Sequence, residues 1–280
     1  MSSVGVLALS SMVSGCVSLG DIAAKLDDDG EPNPPSQIAA QGLHVKESGN
    51  SWVTSYGPAS ARLEIINEAA GTASASVTVG GATYTITGDG GSYGVPDVYY
   101  QGFQIEDSND SNRVVDGAIG KHAVAGIFSL SAMEGVLAHG PLDNTVVTTL
   151  PKQSANYSGM WTLFSEGSPT VDHDAAGSFS GVANFDSGDW AFNLNGQGAT
   201  RTFNSEGEMI GETINPVSGT ASGTITGIDF KGGMSTAGGF NLSGGEVDGR
   251  FYDPNAEELA GTIHGNSSHG KAIGTLMGHQ

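Results

Sequence analysis

Residues 244 to 265 decide the fold of this chain: Gly-Gly-Glu-Val-Asp-Gly-Arg-Phe-Tyr-Asp-Pro-Asn-Ala-Glu-Glu-Leu-Ala-Gly-Thr-Ile-His-Gly. Apolar and small residues alternate with polar ones on both sides of Asp253-Pro254, which is the period of a strand with one buried face. Proline fixes its own φ and disfavours helix at the residue before it, so the first strand ends there. Glu257 and Glu258 follow, and we expect them in one helical turn, where the helix dipole favours negative charge. The stretch predicts a strand, a tight turn with a short helical turn, and a returning strand.

This segment resembles the closing hairpin of the β-barrel in transferrin-binding protein B and its relatives, where a glycine precedes a Phe-Tyr-Gly-Pro-x-Ala-x-Glu-Leu-Gly-Gly run. The matching positions are Gly249, Phe251, Tyr252, Pro254, Ala256, Glu258, Leu259 and Gly261. Asp253 replaces the first glycine of the family run, and Ala260 replaces the next. Weaker pieces of the same resemblance are Tyr157-Ser-Gly, Gly181-Val-Ala-Asn-Phe185 and Gly223-Thr-Ile-Thr-Gly-Ile-Asp-Phe230. The resemblance covers residues 155 to 280.

Residues 151–280 are predicted to form the eight-stranded antiparallel β-barrel that the resemblance implies. Short strand patterns recur from Tyr157 to Met277 at the spacing of an up-and-down barrel, and Asp186-Ser-Gly-Asp189 has the composition of a hairpin turn. Closure removes the exposed edges that so many strands would otherwise present. About eight strands leave an interior that side chains can fill, so we expect a packed interior, with a ligand-holding cavity as the alternative.

Residues 43–150 are predicted to form a smaller β-rich domain, because a handle domain precedes the barrel in the family that the chain resembles. Val77 to Ile86 reads as a hairpin that turns at Gly80-Gly81. The fold class is therefore all-β, with an N-terminal handle domain followed by the barrel. Glycine at 44 of 280 residues fits many turns and bulges between short strands.

The N-terminal segment predicts export and lipid attachment. Residues 4–13 form an apolar run that is too short to span a bilayer but suits the core of a secretory signal. The following Val13-Ser-Gly-Cys16 resembles the bacterial lipobox, and Cys16 is the only cysteine of the chain. We assign residues 1–15 to a lipoprotein signal peptide and 16–42 to a flexible tether, since 17–42 are rich in charge and proline. The alternative is a buried N-terminal helix with an incidental thiol.

The net charge limits the partners. With 30 acidic and 10 basic residues the chain carries −20, so nucleic acid is not an expected partner and electrostatic docking to an anionic membrane is disfavoured. Contact with the membrane is expected through the lipid anchor alone. Val17 after the cysteine resembles lipoproteins that are released to the outer membrane, and a lipid-anchored, surface-exposed protein is the expected location.

Four aromatic residues are the first candidates for a ligand site. Tyr93, Tyr99, Tyr100 and Phe103 fall in a predicted loop from 90 to 112 that also carries an acidic run. Exposed tyrosines offer large, rigid contact area with little loss of entropy, and ligand contacts in the resembling family often involve the handle domain. The alternative is that these rings cover the sheet beneath them.

Histidines supply the remaining candidates. His122 and His139 are the pair considered for haem, because the haem-capturing hemophilins of this family are similar in length and layout; neither lies in a matched motif. Asp172-His173-Asp174 is predicted in a loop, either hydrated or oriented for a metal. His264 and His269 flank the last turn and could approach one another across it, although a third ligand is missing and no metal site is assigned.

No catalytic motif emerges: the sequence lacks a Gly-x-Ser-x-Gly elbow, a His-Glu-x-x-His pair, a phosphate-binding loop and a cysteine pair. We therefore expect a binding protein rather than an enzyme. The favoured function is a surface lipoprotein that captures an extracellular ligand, such as an iron-carrier protein, haem or another nutrient, for an outer-membrane transporter. The alternative is a structural or adhesive envelope lipoprotein with no small-molecule ligand.

Overall fold

The computed structural model describes residues 38–48, 51–67, 71–94, 99–110, 113–131, 134–141, 150–168, 170–253 and 255–280. Cys16, the predicted signal peptide and most of the predicted tether lie outside these residues. In the described part all sixteen regular elements are strands, so the predicted all-β class is confirmed. The chain divides into two compact units, with the boundary between Thr145 and Val146.

The N-terminal unit is itself a closed barrel. Its strands are β1 (Ile38–Ser48), β2 (Ser51–Asn67), β3 (Thr72–Val79), β4 (Ala82–Gly94), β5 (Gln101–Asp107), β6 (Val114–Ile119), β7 (Ala123–Ser131) and β8 (Glu134–Pro141). Each pairs with the next in antiparallel fashion, and β1 closes the barrel by pairing with β8. The unit that the sequence predicted only as β-rich therefore has no open end strand, and its first strand begins at Ile38, ahead of the predicted domain start at 43.

The β3–β4 hairpin shows how the sequence specifies this unit. Along β3, half-buried and buried residues alternate strictly, as one packed face requires. The strands join at Gly80-Gly81, whose φ values are +59° and +82°. Two successive residues with positive φ give the turn that matches the twist of a two-residue hairpin, and glycine adopts them without steric cost. The predicted hairpin is confirmed.

The C-terminal unit is the predicted eight-stranded antiparallel barrel. Its strands are β9 (Ser154–Ser168), β10 (Val171–Asn184), β11 (Asp189–Phe203), β12 (Met209–Thr226), β13 (Asp229–Gly238), β14 (Leu242–Tyr252), β15 (Glu258–Ser267) and β16 (Gly270–His279). Neighbours in sequence pair throughout, and β16 returns to pair with β9. The predicted turn at 186–189 joins β10 to β11, where the Asn184 side-chain oxygen accepts from the backbone N–H groups of Asp186 and Ser187.

Aromatic side chains fill the interior of the C-terminal barrel. The aromatic residues of its core, each at most 4% exposed, are Tyr157, Trp161, Phe179, Trp190, Phe192, Phe230, Phe240 and Phe251. The rings contact one another in tilted and edge-on pairs, for example Trp190 with Phe230 at 5.4 Å between centroids and Phe230 with Phe251 at 5.2 Å. These geometries are the favourable ones for aromatic pairs. A packed interior is what the strand count led us to expect.

The closing hairpin β14–β15 contains the motif residues and corrects one prediction. Phe251 pairs with Leu259, and Gly249 pairs with Gly261. Instead of a helical turn between the strands, Asp253 and Ala256 have φ values of +70° and +57°, and Glu258 already lies in β15 with its side chain fully buried. The predicted helical turn is therefore wrong. Asp253 tolerates the left-handed conformation because its carboxylate accepts the Asn255 N–H at 2.8 Å.

Candidate binding surface on the open edge of strand β12

The predicted aromatic loop is mostly strand. Tyr93 belongs to β4, and its side chain lies outside the described residues. Tyr99 is half-buried, with its ring 5.1 Å from that of Tyr100 in an edge-on contact. Tyr100 and Phe103 are each only 4% exposed, and Phe103 packs into the core of the N-terminal barrel. Tyr100 and Phe103 are therefore not the exposed rings that one of the two interpretations required; for Phe103 the cause is that β5 pairs with β4 and β6 and turns the ring into the core. For Phe103 the alternative interpretation, a ring that covers the sheet, fits the structure.

The histidines considered for haem are buried in the N-terminal barrel. His139 lies in β8 opposite Gln41 of β1 and Ala125 of β7, and it is 1% exposed. His122 lies directly before β7 and is 8% exposed. Because β7 and β8 are antiparallel, the register places both at the same end of this barrel. Their role as haem ligands stays a prediction.

The Asp172-His173-Asp174 cluster begins strand β10 rather than lying in a loop. Successive residues of a strand point to opposite faces, so the two carboxylates cannot flank the imidazole as the predicted cluster required. His173 is 3% exposed, and its Nδ1 is 2.8 Å from the Thr200 hydroxyl on β11. Asp174 on the other face accepts a hydrogen bond from Arg201 at 2.8 Å. Burial raises the pKa of Asp174 to about 6, against the opposing effect of Arg201.

His173 takes part in an aromatic stack that covers one end of the C-terminal barrel. Its ring lies parallel to Phe240 at 4.6 Å between centroids and 3.9 Å from the ring of His269 in the β15–β16 turn. Burial, reinforced by the neighbouring His269, lowers the pKa of His173 to about 4. His264 and His269, which were considered for an approach across the last turn, have different neighbours: His264 Nε2 lies 3.5 Å from a Glu246 carboxylate oxygen, whereas the ring of His269 meets that of His173.

Strand β12 carries a surface that the sequence analysis missed. In the described part of the chain four large apolar side chains are prominently exposed, and three of them lie within six residues: Met209 at 56%, Ile210 at 65% and Ile214 at 49%. Every residue from 209 to 216 is exposed. Contiguous exposed apolar side chains of this kind mark interaction sites more often than isolated ones do. We call Met209–Ile214 the open edge.

The open edge exists because β12 is longer than its second neighbour. On one side β12 pairs with β11 from Thr224 back to Met209. On the other side its pairing with β13 ends at Val217 opposite Gly238, and the last contact there is the Gly239 N–H donated to the Pro216 carbonyl at 2.8 Å. Before Pro216, β12 therefore has a strand on one side only among the residues that the structure describes.

The backbone of the open edge directs hydrogen-bonding groups outward. Backbone groups of alternate residues point to opposite sides of a strand, so Ile214 and Glu212 share the direction of the Pro216 carbonyl, away from β11. The backbone directions on β11 agree with this assignment. The Phe203 N–H donates to the Thr170 carbonyl, which lies on the β10 side of β11. The backbone groups of Thr200 and Thr202 therefore point the other way, towards their partners Thr213 and Gly211 on β12. A bulge at Ile210, opposite the step from Thr202 to Phe203, interrupts this alternation at the far end.

Side-chain contacts hold the hairpin that presents the open edge. The Asn204 side-chain oxygen accepts from the backbone N–H groups of Glu206 and Glu208 at 3.0 and 2.9 Å. Its amide nitrogen donates to the Glu208 carboxylate at 3.0 Å. Arg201 on β11 joins Glu212 of the open edge to Asp174 of β10, with both contacts at 2.8 Å. The edge is therefore a pre-organised surface rather than a free loop.

A signal for this surface was present in the sequence. Residues 204–216 read Asn-Ser-Glu-Gly-Glu-Met-Ile-Gly-Glu-Thr-Ile-Asn-Pro, with three apolar residues placed among three glutamates. The adjacent pair Met209-Ile210 cannot share one buried strand face with Ile214, which argues for exposure of at least one of them. The strand predicted from the sequence in this region begins only at Thr220, whereas β12 begins at Met209.

No helix in the described part of the chain has the length and hydrophobicity needed to cross a membrane.

No protein-family model and no curated relative matches the sequence. The solved structures that are similar to the chain include a point mutant of transferrin-binding protein B (TbpB) from Haemophilus parasuis Hp5, at 12% identity and a TM-score of 0.39, which covers 89% of this chain and 76% of that one.

Two further structures are similar in the same way. A TbpB mutant from Actinobacillus pleuropneumoniae H49 has 14% identity and a TM-score of 0.39, and the match covers 86% of this chain and 99% of that one. Isotype 1 TbpB from serogroup B Neisseria meningitidis has 12% identity and a TM-score of 0.31, with 88% and 77% covered. The family named from the sequence pattern is thus the one to which these structures belong.

Proposed function

We propose that the protein is a lipoprotein anchored through Cys16 to the outer membrane, displayed at the cell surface, where it binds an extracellular ligand for uptake by an outer-membrane transporter. The observation that carries the proposal is the open edge of β12, with three exposed apolar side chains on a strand that, within the described residues, pairs on one side only. Rigid scaffolds that present exposed recognition elements are a common design of binding proteins.

The packed interior of the C-terminal barrel bears on the kind of ligand. Its described core is filled by aromatic and aliphatic side chains that contact one another, and Tyr157, Trp161 and Phe230 are at most 2% exposed. A ligand of this unit therefore binds on its outer surface. That favours a protein ligand, such as an iron-carrier protein, over a small molecule held inside the C-terminal barrel. Haem at His122 and His139 of the N-terminal barrel is the remaining small-molecule proposal.

The anchor and location are tested in a Gram-negative host that expresses the full chain or its Cys16→Ser variant. We expect mass spectrometry to find an acylated Cys16, and an antibody against the protein to label intact cells that make the wild type. The variant should be released from the membrane fraction. An unmodified thiol in a cytosolic fraction would contradict the proposed function.

The ligand is tested with the purified full chain. Titration with haem should give a Soret band that His139→Ala weakens if the N-terminal barrel binds haem. Surface plasmon resonance with iron-loaded transferrin tests the protein alternative. Binding to neither, on a chain that is acylated and surface-labelled, would favour the structural or adhesive role.

A further inference from the structure

We propose that the open edge of β12 binds an extended, positively charged segment of a partner protein by adding it to the sheet as a new antiparallel or parallel strand. The proposal rests on the proposed function, since it names the class of ligand for one surface of a binding protein. Strand addition of this kind supplies affinity through backbone hydrogen bonds and specificity through alternate side chains.

The first argument is the free backbone. Glu212 and Ile214 each direct one N–H and one C=O away from β11, to the side on which the pairing with β13 has ended. Pro216, two residues after Ile214, points the same way, because its carbonyl accepts the Gly239 N–H on that side. The stretch is already held in strand conformation by β11 on its other side. A partner strand therefore meets a preformed template, which reduces the ordering cost of binding.

The second argument is the side chains around that backbone. Met209, Ile210 and Ile214 leave about half or more of their surface in water, and a partner strand that covered them would remove this apolar surface from water, which favours binding. Gly211 between them has no atom within 4 Å of the place where a Cβ would stand. A partner side chain can therefore approach the backbone closely at this position.

The third argument is charge, and it selects the occupant. Glu206, Glu208 and Glu212 surround the apolar residues, residues 204–216 contain no lysine or arginine, and the whole chain carries −20. Arg201 contacts Glu212 but is shared with Asp174, so its charge does not neutralise the glutamates of the edge. A second copy would place like charges side by side, which disfavours self-pairing. A segment that alternates lysine or arginine with apolar residues complements the edge in both charge and pattern.

The test uses the unlipidated full chain with Cys16→Ser and a synthetic ten-residue peptide that alternates Lys with Val and Ile. The control peptide has the same composition except for proline at two central positions, which removes backbone donors and prevents strand pairing. We expect the alternating peptide to bind and the proline peptide to bind at least about tenfold more weakly. On binding, the amide protons of Glu212 and Ile214 should exchange with solvent at least about tenfold more slowly.

Variants separate strand addition from general attraction to an acidic protein. Ile214→Asp should weaken peptide binding by about tenfold or more. The matched control is Val182→Asp, which places the same charge at a 41%-exposed position on β10, a strand with neighbours on both sides. This control should leave binding within about twofold. Glu212→Gln should weaken binding and reduce its dependence on salt concentration.

Three outcomes would overturn the proposal. Equal binding of the two peptides, or equal effects of Ile214→Asp and Val182→Asp, would show non-specific charge attraction. Unchanged exchange at Glu212 and Ile214 with bound peptide would place the peptide elsewhere. A dimer in size-exclusion chromatography with light scattering that Ile214→Asp dissociates would make a second copy the occupant. All these measurements use purified protein, so failure of the surface-lipoprotein proposal in cells would leave their result standing.

Discussion

Substitution of Gly249 by alanine is expected to destabilise the C-terminal barrel because of one close approach. Gly249 on β14 pairs directly with Phe230 on β13. A Cβ at Gly249 would stand 2.1 Å from Cζ of Phe230 and 2.6 and 2.7 Å from its two Cε atoms. Carbon atoms pack favourably at about 3.5 Å or more, so the ring would have to withdraw by about 1.4 Å. Trp190 and Phe251 stand at 5.4 and 5.2 Å from the same ring and block that movement.

The expected cost is about 3 kcal/mol, at the upper end of the range for overpacking a filled core. Urea unfolding of the full chain should be followed by fluorescence in a Trp52→Phe background, which leaves the two buried tryptophans of the C-terminal barrel, Trp161 and Trp190, as reporters. The matched control is Gly211→Ala, a strand glycine whose added Cβ would meet no atom within 4 Å. The control should change the free energy of unfolding by about 1 kcal/mol or less.

A double-mutant cycle with Phe230→Ala isolates the clash from other effects of alanine. Phe230→Ala alone should cost about 3–5 kcal/mol, as the loss of a fully buried phenylalanine does. In that background Gly249→Ala should cost nothing further, because the ring it meets has gone. The reasoning is refuted if Gly249→Ala is as mild as Gly211→Ala, or if its cost persists without the Phe230 ring.

Three further predictions concern ionisable groups of the same barrel, each measured as the pH dependence of urea unfolding. His173→Phe should remove an acid sensitivity. Because the pKa of His173 is lowered to about 4, the stability that this group contributes is present above pH 6.5 and is lost as pH falls towards 4, which taken alone amounts to about 3 kcal/mol. Asp174→Asn should remove a pH dependence of the opposite sign. Because the pKa of Asp174 is raised to about 6, the stability that this group contributes is present below pH 3.8 and is lost as pH rises through 6. In the wild type the contributions of His173 and Asp174 to the free energy of unfolding should therefore partly cancel between pH 4 and 6. Tyr157→Phe should remove the hydrogen bond to the Ala256 carbonyl, at a cost of about 1–2 kcal/mol, and should also abolish the loss of stability above pH 10 that the raised pKa of this buried hydroxyl predicts.

The strands of the C-terminal barrel were predictable because their signals are local. Phe251 and Leu259 alternate with polar neighbours and do pair across the closing hairpin, and Asn184 to Asp189 has turn chemistry at the place where β10 and β11 meet. The closure of the N-terminal unit was not predicted, because the pairing of β1 with β8 depends on partners about 90 residues apart that no local period reveals.

The errors have a common physical origin, which is that local chemistry was interpreted without knowledge of the neighbouring strand. Phe103 stands in a polar stretch, and an exposed ring and a ring that covers the sheet were both left open; the pairing of β4 with β5 decides for the second by turning Phe103 into the core. Glu258 follows a proline turn and was expected in a helix, although it begins β15. The open edge of β12 was missed because its exposure depends mainly on where β13 ends, and the apolar and acidic pattern of residues 204–216 does not by itself show that the neighbouring strand stops.

The pairing of β16 with β9, which closes the C-terminal barrel, has a consequence for the order in which this barrel folds. Residues more than 100 positions apart in the sequence meet across it, such as Thr162 and Thr275, whose hydroxyl groups lie 3.1 Å apart. Until β16 has emerged, β9 and β15 both lack a neighbour, and pairing between such distant segments is slow. The cylinder therefore cannot close before β16 is available, and a chain that lacked β16 would leave both of these strands with an unpaired edge.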